Sequence, residues 1–127
     1  MKLPRKRILY VDRDADTLEM VTILLSKRAE YEVVTALTSA QAVQLAQSGH
    51  FDLYLLESRL PDGTGLELCQ RLREFDTQTP ILFYVATVSF TPQQVSEVGG
   101  QGCVKKLDGI EALQESISRL LCEATSH

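Results

Sequence analysis

Short continuous apolar runs alternate along this chain with segments whose apolar residues recur every three or four positions. Ile8-Leu9-Tyr10-Val11, Leu53-Tyr54-Leu55-Leu56 and Ile81-Leu82-Phe83-Tyr84-Val85 are apolar throughout, as expected of strands buried on both faces. Two further strands are predicted, over about Glu32 to Ala36 and about Gly102 to Lys105, and the first covers about Arg7 to Val11. Between them lie helical stripes. Leu18, Val21 and Leu25 mark the first helix, with Asp14 or Asp16 as N-cap, and Thr38-Ser39-Ala40-Gln41 reads as a capping box opening a second that Gly49 closes. Leu68, Cys69 and Leu72 face inward on a third helix, and Thr91-Pro92-Gln93-Gln94 supplies a cap, a proline at N1 and a glutamine at N3 for a fourth. Asp108-Gly109-Ile110-Glu111 opens a fifth, with Ile110, Leu113, Ile117 and Leu120 as its stripe. Strict alternation of strand and helix predicts a parallel sheet covered on both faces.

With 127 residues the chain is expected to form one domain (1–127, core about 7–121) that needs no disulfide or metal staple. A net charge of −4 argues against a nucleic-acid surface, which needs a basic stripe. Lys2, Arg5, Lys6 and Arg7 read as a solvated lead-in to the first strand; the apolar run after them is stopped by Asp12-Arg13-Asp14, too soon for a signal peptide. No stretch approaches the roughly 18 apolar residues of a membrane span. Cys69, Cys103 and Cys122 show no metal or CxxC spacing, so they read as small hydrophobes in a reducing cytoplasm.

Three strand ends carry the chemistry. Asp12 and Glu57 follow the first and third runs, and Lys106 follows Gly102-Cys103-Val104-Lys105. Each acid has a bland alternative, Asp12 as a helix cap and Glu57 as an exposed strand end. In a parallel sheet, however, all three reach the carboxyl edge, where ligands bind in open α/β folds. Two carboxylates some 4 Å apart repel by about 4 kcal/mol at an effective dielectric near 20, so a cation is required: Lys106, Arg13 or a divalent ion. No Walker loop or GxGxxG is present, and the loop Asp12-Arg13-Asp14-Ala15-Asp16 would repel the phosphate of a flavodoxin-type cofactor. His50 and His127 read as solvated, and no nucleophile–base pair is visible.

Together these residues resemble the receiver domain of two-component response regulators. "ILYVDRD", "DLYLLESRLPDGTGLELCQRLR", "TPILFYVA" and "GCVKKL" are similar to its first strand, phosphoacceptor block, fourth strand and lysine-bearing strand. The resemblance covers about Arg7 to Leu121 and implies a doubly wound (βα)5 fold of strand order 2-1-3-4-5. It also implies departures. Glu57 stands where the family has its phosphoacceptor aspartate, and Arg13 stands where it has the second magnesium-holding acid. Val85 occupies the Ser/Thr position that contacts the phosphoryl group, and Thr87 could substitute only if the strand slipped. Lys106 matches the family lysine, but Leu107 replaces the proline after it, so a cis peptide is not expected there. Cys103 takes the aromatic switch position.

A magnesium site would draw on Asp12, Glu57 and the Arg59 carbonyl, with half the usual acidic charge. No cofactor is therefore expected, and Mg2+ only weakly. The expectation is an atypical receiver: a signalling module without the aspartyl-phosphate cycle and not an enzyme. Its protein partner would be a sensor kinase, an effector domain or another signalling protein, and a homodimer is possible. The resemblance places output on the face of the fourth helix, fifth strand and fifth helix, around Gln94, Cys103 and Val104. The alternative is a working phosphotransfer receiver that uses Asp12, Asp14 and Mg2+; a flavodoxin-like cofactor carrier is weaker still.

Overall fold

The computed structural model describes residues 5–27 and 30–125, so Lys2 and His127 lie outside the described residues. Five parallel strands form the sheet: β1 Lys6–Val11, β2 Tyr31–Ala36, β3 Leu53–Leu56, β4 Ile81–Val85 and β5 Gly102–Lys105. Their order is β2-β1-β3-β4-β5, the doubly wound order expected. Five helices alternate with them: α1 Ala15–Ser26, α2 Ser39–Ser48, α3 Gly65–Arg73, α4 Pro92–Glu97 and α5 Ile110–Thr125.

Strand alternation sorts the core into two layers. Leu9, Val11, Leu56, Phe83 and Val85 pack with residues of α2, α3 and α4. Ile8, Tyr10, Leu53, Leu55, Tyr84 and Val104 pack with α1 and α5. The first and fourth helices are capped as the sequence predicts. Asp14 accepts from the Asp16 amide, and Thr91 and Gln94 close a full capping box with Pro92 at the first helical position. The predicted box at Thr38 is half present: Thr38 accepts from the Gln41 amide, but the Gln41 side chain accepts from Leu37 instead. Asp62, twenty-odd residues on, takes the amides of Ser39 and Ala40 at 2.8 and 3.0 Å. The first turn of α2 is thus capped from the β3–α3 loop.

Gly49 closes α2 as expected, in an extended conformation with φ of −151°. A 3-10 turn over Lys106–Asp108 precedes α5, which begins at Ile110. The β3–α3 loop also contains a small antiparallel hairpin, Arg59–Leu60 with Gly63–Thr64. Of the basic lead-in, Arg7 is no loose cation. Its guanidinium bonds Glu32 at 2.6 Å and the His50 carbonyl at 2.8 Å, and lies 4.7 Å from the Phe51 ring centre.

Candidate functional site

Register and alternation bring the three charged strand ends together. Val11 pairs with Leu56, so Asp12 and Glu57 sit side by side one residue beyond β1 and β3. Asp12 continues the parity of Ile8 and Tyr10, Glu57 that of Leu53 and Leu55, and Lys106 that of Val104. All three therefore lie on the α1/α5 side of the sheet.

The lysine Nζ donates to Asp12 Oδ2 at 2.6 Å and lies 2.7 Å from Glu57 Oε2. Both acids are nearly covered, with side chains 1% and 7% exposed. Every other carboxylate oxygen of the pair is also engaged. Asp12 Oδ1 accepts from the Asp14 amide, and Oδ2 accepts in addition from the Tyr10 hydroxyl. Glu57 Oε1 accepts from the amide and the hydroxyl of Ser58 at 2.6 and 2.9 Å. The longer glutamate side chain thus folds back onto its own successor while its second oxygen meets the lysine. The candidate cation Arg13 is exposed and takes no part.

Burial disfavours the charged form of Lys106, but its bonds to Asp12 and Glu57 outweigh that and raise its pKa above the ordinary 10.5. Burial, then the neighbouring Asp12 carboxylate, pushes the Tyr10 phenol up, so it stays a donor. A raised lysine stabilises the fold at every pH below its unfolded value, and that stability is lost as pH rises through the folded value. The difference in urea midpoint between the native chain and Lys106→Met is therefore expected to be constant from neutrality to about pH 10 and to shrink above it. A difference that vanishes below pH 9 contradicts the raised lysine.

The triad floors a cleft of about 490 Å³ whose rim includes Arg13, Arg59, Thr17, Thr87 and Ser89. Thr87 reaches this cleft from the loop after β4, with no slip of the strand. Val85 does not reach it. Its parity turns the side chain into the opposite layer, fully buried with Val11 and Phe83. Asp14 lines the cleft but holds the α1 start, through the Asp16 amide and the Thr17 hydroxyl. Arg59 is an exposed hairpin residue. Sequence reasoning missed Ser58, Ser89 and Thr17, whose hydroxyls carry no signal outside the fold.

The expected output residues divide. Gln94 is exposed on α4, although its side chain is engaged in the capping box; Val104 is buried against α1 and α5 and is removed from the surface set. Cys103 is exposed, as its place on the output face requires; Cys122 is exposed too, and Cys69 is buried. Cys103 lines a second hollow of about 570 Å³ between α4 and β5, with Val88, Phe90 and Val95.

Solved structures that share this architecture at more than a quarter of identical positions include two response regulators. A two-component response regulator of the LuxR family from Aurantimonas is 26% identical with a TM-score of 0.87, covering 94% of this chain and 86% of that one. The response regulator protein TrrA from Thermotoga maritima, solved in complex with Mg(2+)-BeF, is 28% identical with a TM-score of 0.81, covering 91% and 98%. In sequence, the chain is 31% identical over 120 residues to response regulator protein PilR of Pseudomonas aeruginosa, covering 94% of this chain and 27% of that protein. It is 30% identical over 117 residues to transcriptional regulatory protein BasR of Escherichia coli, covering 91% and 52%. The chain thus spans between about a quarter and a half of these relatives. The family model for the response regulator receiver domain matches residues 8–118, and with the strand order and the Asp12–Glu57–Lys106 edge it shows that the chain belongs to the response regulator receiver domain family.

Proposed function

We propose that this receiver is a signalling module that acts by binding a protein partner and does not run an aspartyl-phosphate cycle. The observation that carries this reading is the single ammonium clamped between Asp12 and Glu57 at 2.6 and 2.7 Å. Glu57 offers no free oxygen: one is held by Lys106 and the other by two donors of Ser58.

Magnesium fits this donor set poorly. A divalent ion needs several oxygens at close to octahedral geometry, and here the two buried acids are already satisfied while Arg13 adds positive charge at the rim. Among the described residues no group of three acidic, histidine or cysteine side chains converges on a common point. Partner binding is assigned to the face of α4, β5 and α5, where Cys103 and Gln94 are exposed, and the partner is a sensor kinase, an effector domain or a second copy of the chain.

Incubation with acetyl phosphate and magnesium, followed by intact-mass measurement, is expected to leave the protein unlabelled. Stoichiometric addition of a phosphoryl group at Glu57 or Asp12 would instead support the working phosphotransfer receiver.

A further inference from the structure

Besides the β4–β5 ladder and the apolar contacts of Val95, the turn between α4 and β5 is held to α3 chiefly through one side chain. Arg73, in the last turn of α3, donates from Nε and Nη2 to the Gly99 carbonyl at 3.1 and 2.8 Å. Nη2 also donates to Gln101 Oε1 at 3.1 Å, and Nη1 to the Asp76 carbonyl at 2.8 Å. Gln101 Oε1 in turn accepts from the Ile81 amide at the start of β4, at 2.6 Å. One turn earlier on α3, the Cys69 thiol donates to the Val98 carbonyl at 3.2 Å.

The clasped turn is shaped to lie flat on the guanidinium. Gly99 has φ of +91°, and a Cβ there would stand 2.9 Å from Arg73 Nε. Among the described residues the Arg73 guanidinium donates only to neutral oxygen acceptors. It is half buried, so its planar fork of donors is matched to backbone geometry and not to an opposite charge.

The link between this side and the charged cleft runs through Lys106, next after β5, and not through the α4 segment. Among the described residues, no hydrogen bond joins Asp12, Glu57 or Lys106 to any residue from 86 to 97. Val85, the residue between, turns its apolar side chain away from the cleft. The fourth helix has only six residues, and its N-terminal capping box is internal to itself. Its long-range polar ties therefore lie at its C-terminal end, on α3.

We infer that Arg73 sets the conformation of the α4–β5 turn, residues 95–101, so that this segment is governed from α3 and not from the Glu57 site. The inference rests on the reading of a silent acceptor site but concerns a different part of the molecule.

Hydrogen exchange read by mass spectrometry on the whole chain tests it. In Arg73→Gln the amides of residues 95–102 are expected to exchange about tenfold faster or more, while those of β1 and β3 stay within about twofold. Gly99→Ala attacks the same contact from the other side and is expected to accelerate the same segment. Glu57→Gln is expected to leave it unchanged. Unaltered exchange at 95–102 in both Arg73→Gln and Gly99→Ala overturns the inference, and so does equal acceleration across the entire sheet. Acceleration of that segment by Glu57→Gln to the same extent also overturns it, because the acceptor site would then be in control. Phosphoryl labelling of the native chain refutes the silent site alone and leaves these exchange outcomes readable.

Discussion

Lys106→Met is expected to lower the free energy of unfolding by about 3–5 kcal/mol, read as a fall in urea midpoint at unchanged slope. The substitution keeps roughly the length of the apolar stem, with a sulfur in place of one methylene, and removes the ammonium. What remains is Asp12, 1% exposed, beside Glu57, 7% exposed, with their positive partner gone. At the close spacing imposed by a shared Nζ, two carboxylates repel by several kcal/mol at an effective dielectric near 20. Tyr10 and Ser58 still donate to them, which limits the loss but does not balance the charge. Adding Glu57→Gln to this variant is expected to recover part of the loss, because it removes one of the two uncompensated anions. A loss below about 1 kcal/mol for Lys106→Met would show that the triad is open to solvent and dispensable.

Glu57→Asp combined with Arg13→Asp is expected to convert the unlabelled chain into one that takes a phosphoryl group from acetyl phosphate in magnesium, a gain of at least about 100-fold in labelling rate. Two geometric causes act together. Shortening residue 57 by one methylene withdraws its carboxylate from the amide and hydroxyl of Ser58 and from the lysine, where the glutamate now reaches. Exchanging Arg13 for an acid removes the rim cation and supplies the second carboxylate that the family places beside Asp12. Thr87 and Ser89 already line the cleft, so no change at Val85 is needed. Equal labelling of native and doubly substituted chains would sink the claim that these two positions silence the site.

Much of this was legible before any coordinates. Continuous apolar runs against helical stripes established five βα units, because periodicity is a local property that survives without tertiary context. The convergence of Asp12, Glu57 and Lys106 was also readable, since residues that end parallel strands must meet at one edge. Strand parity also decides which side chains reach the surface. Counting in twos from Val104 to Lys106 puts both on one face, which also buries Val104 and so removes it from the output surface.

The pairing within the site was not legible. Arg13 and Lys106 are equally cationic on paper, yet only the lysine projects between the two acids, while Arg13 leaves the sheet edge for solvent. Ser58 as the clamp on Glu57 depends on one side chain folding back over its own successor, a matter of rotamer and burial that composition does not carry. Asp62 on the start of α2 and Arg73 on the Gly99 turn join residues 22 to 26 positions apart through loops. By itself, then, the sequence determined the fold, the sheet edge and the three charges that meet there, since each follows from a repeat or a strand end. Tertiary structure alone decided which cation neutralises them and what holds the α4–β5 turn. Those outcomes are set by differences of an ångström between groups of the same charge or polarity, and only packed side chains resolve such distances.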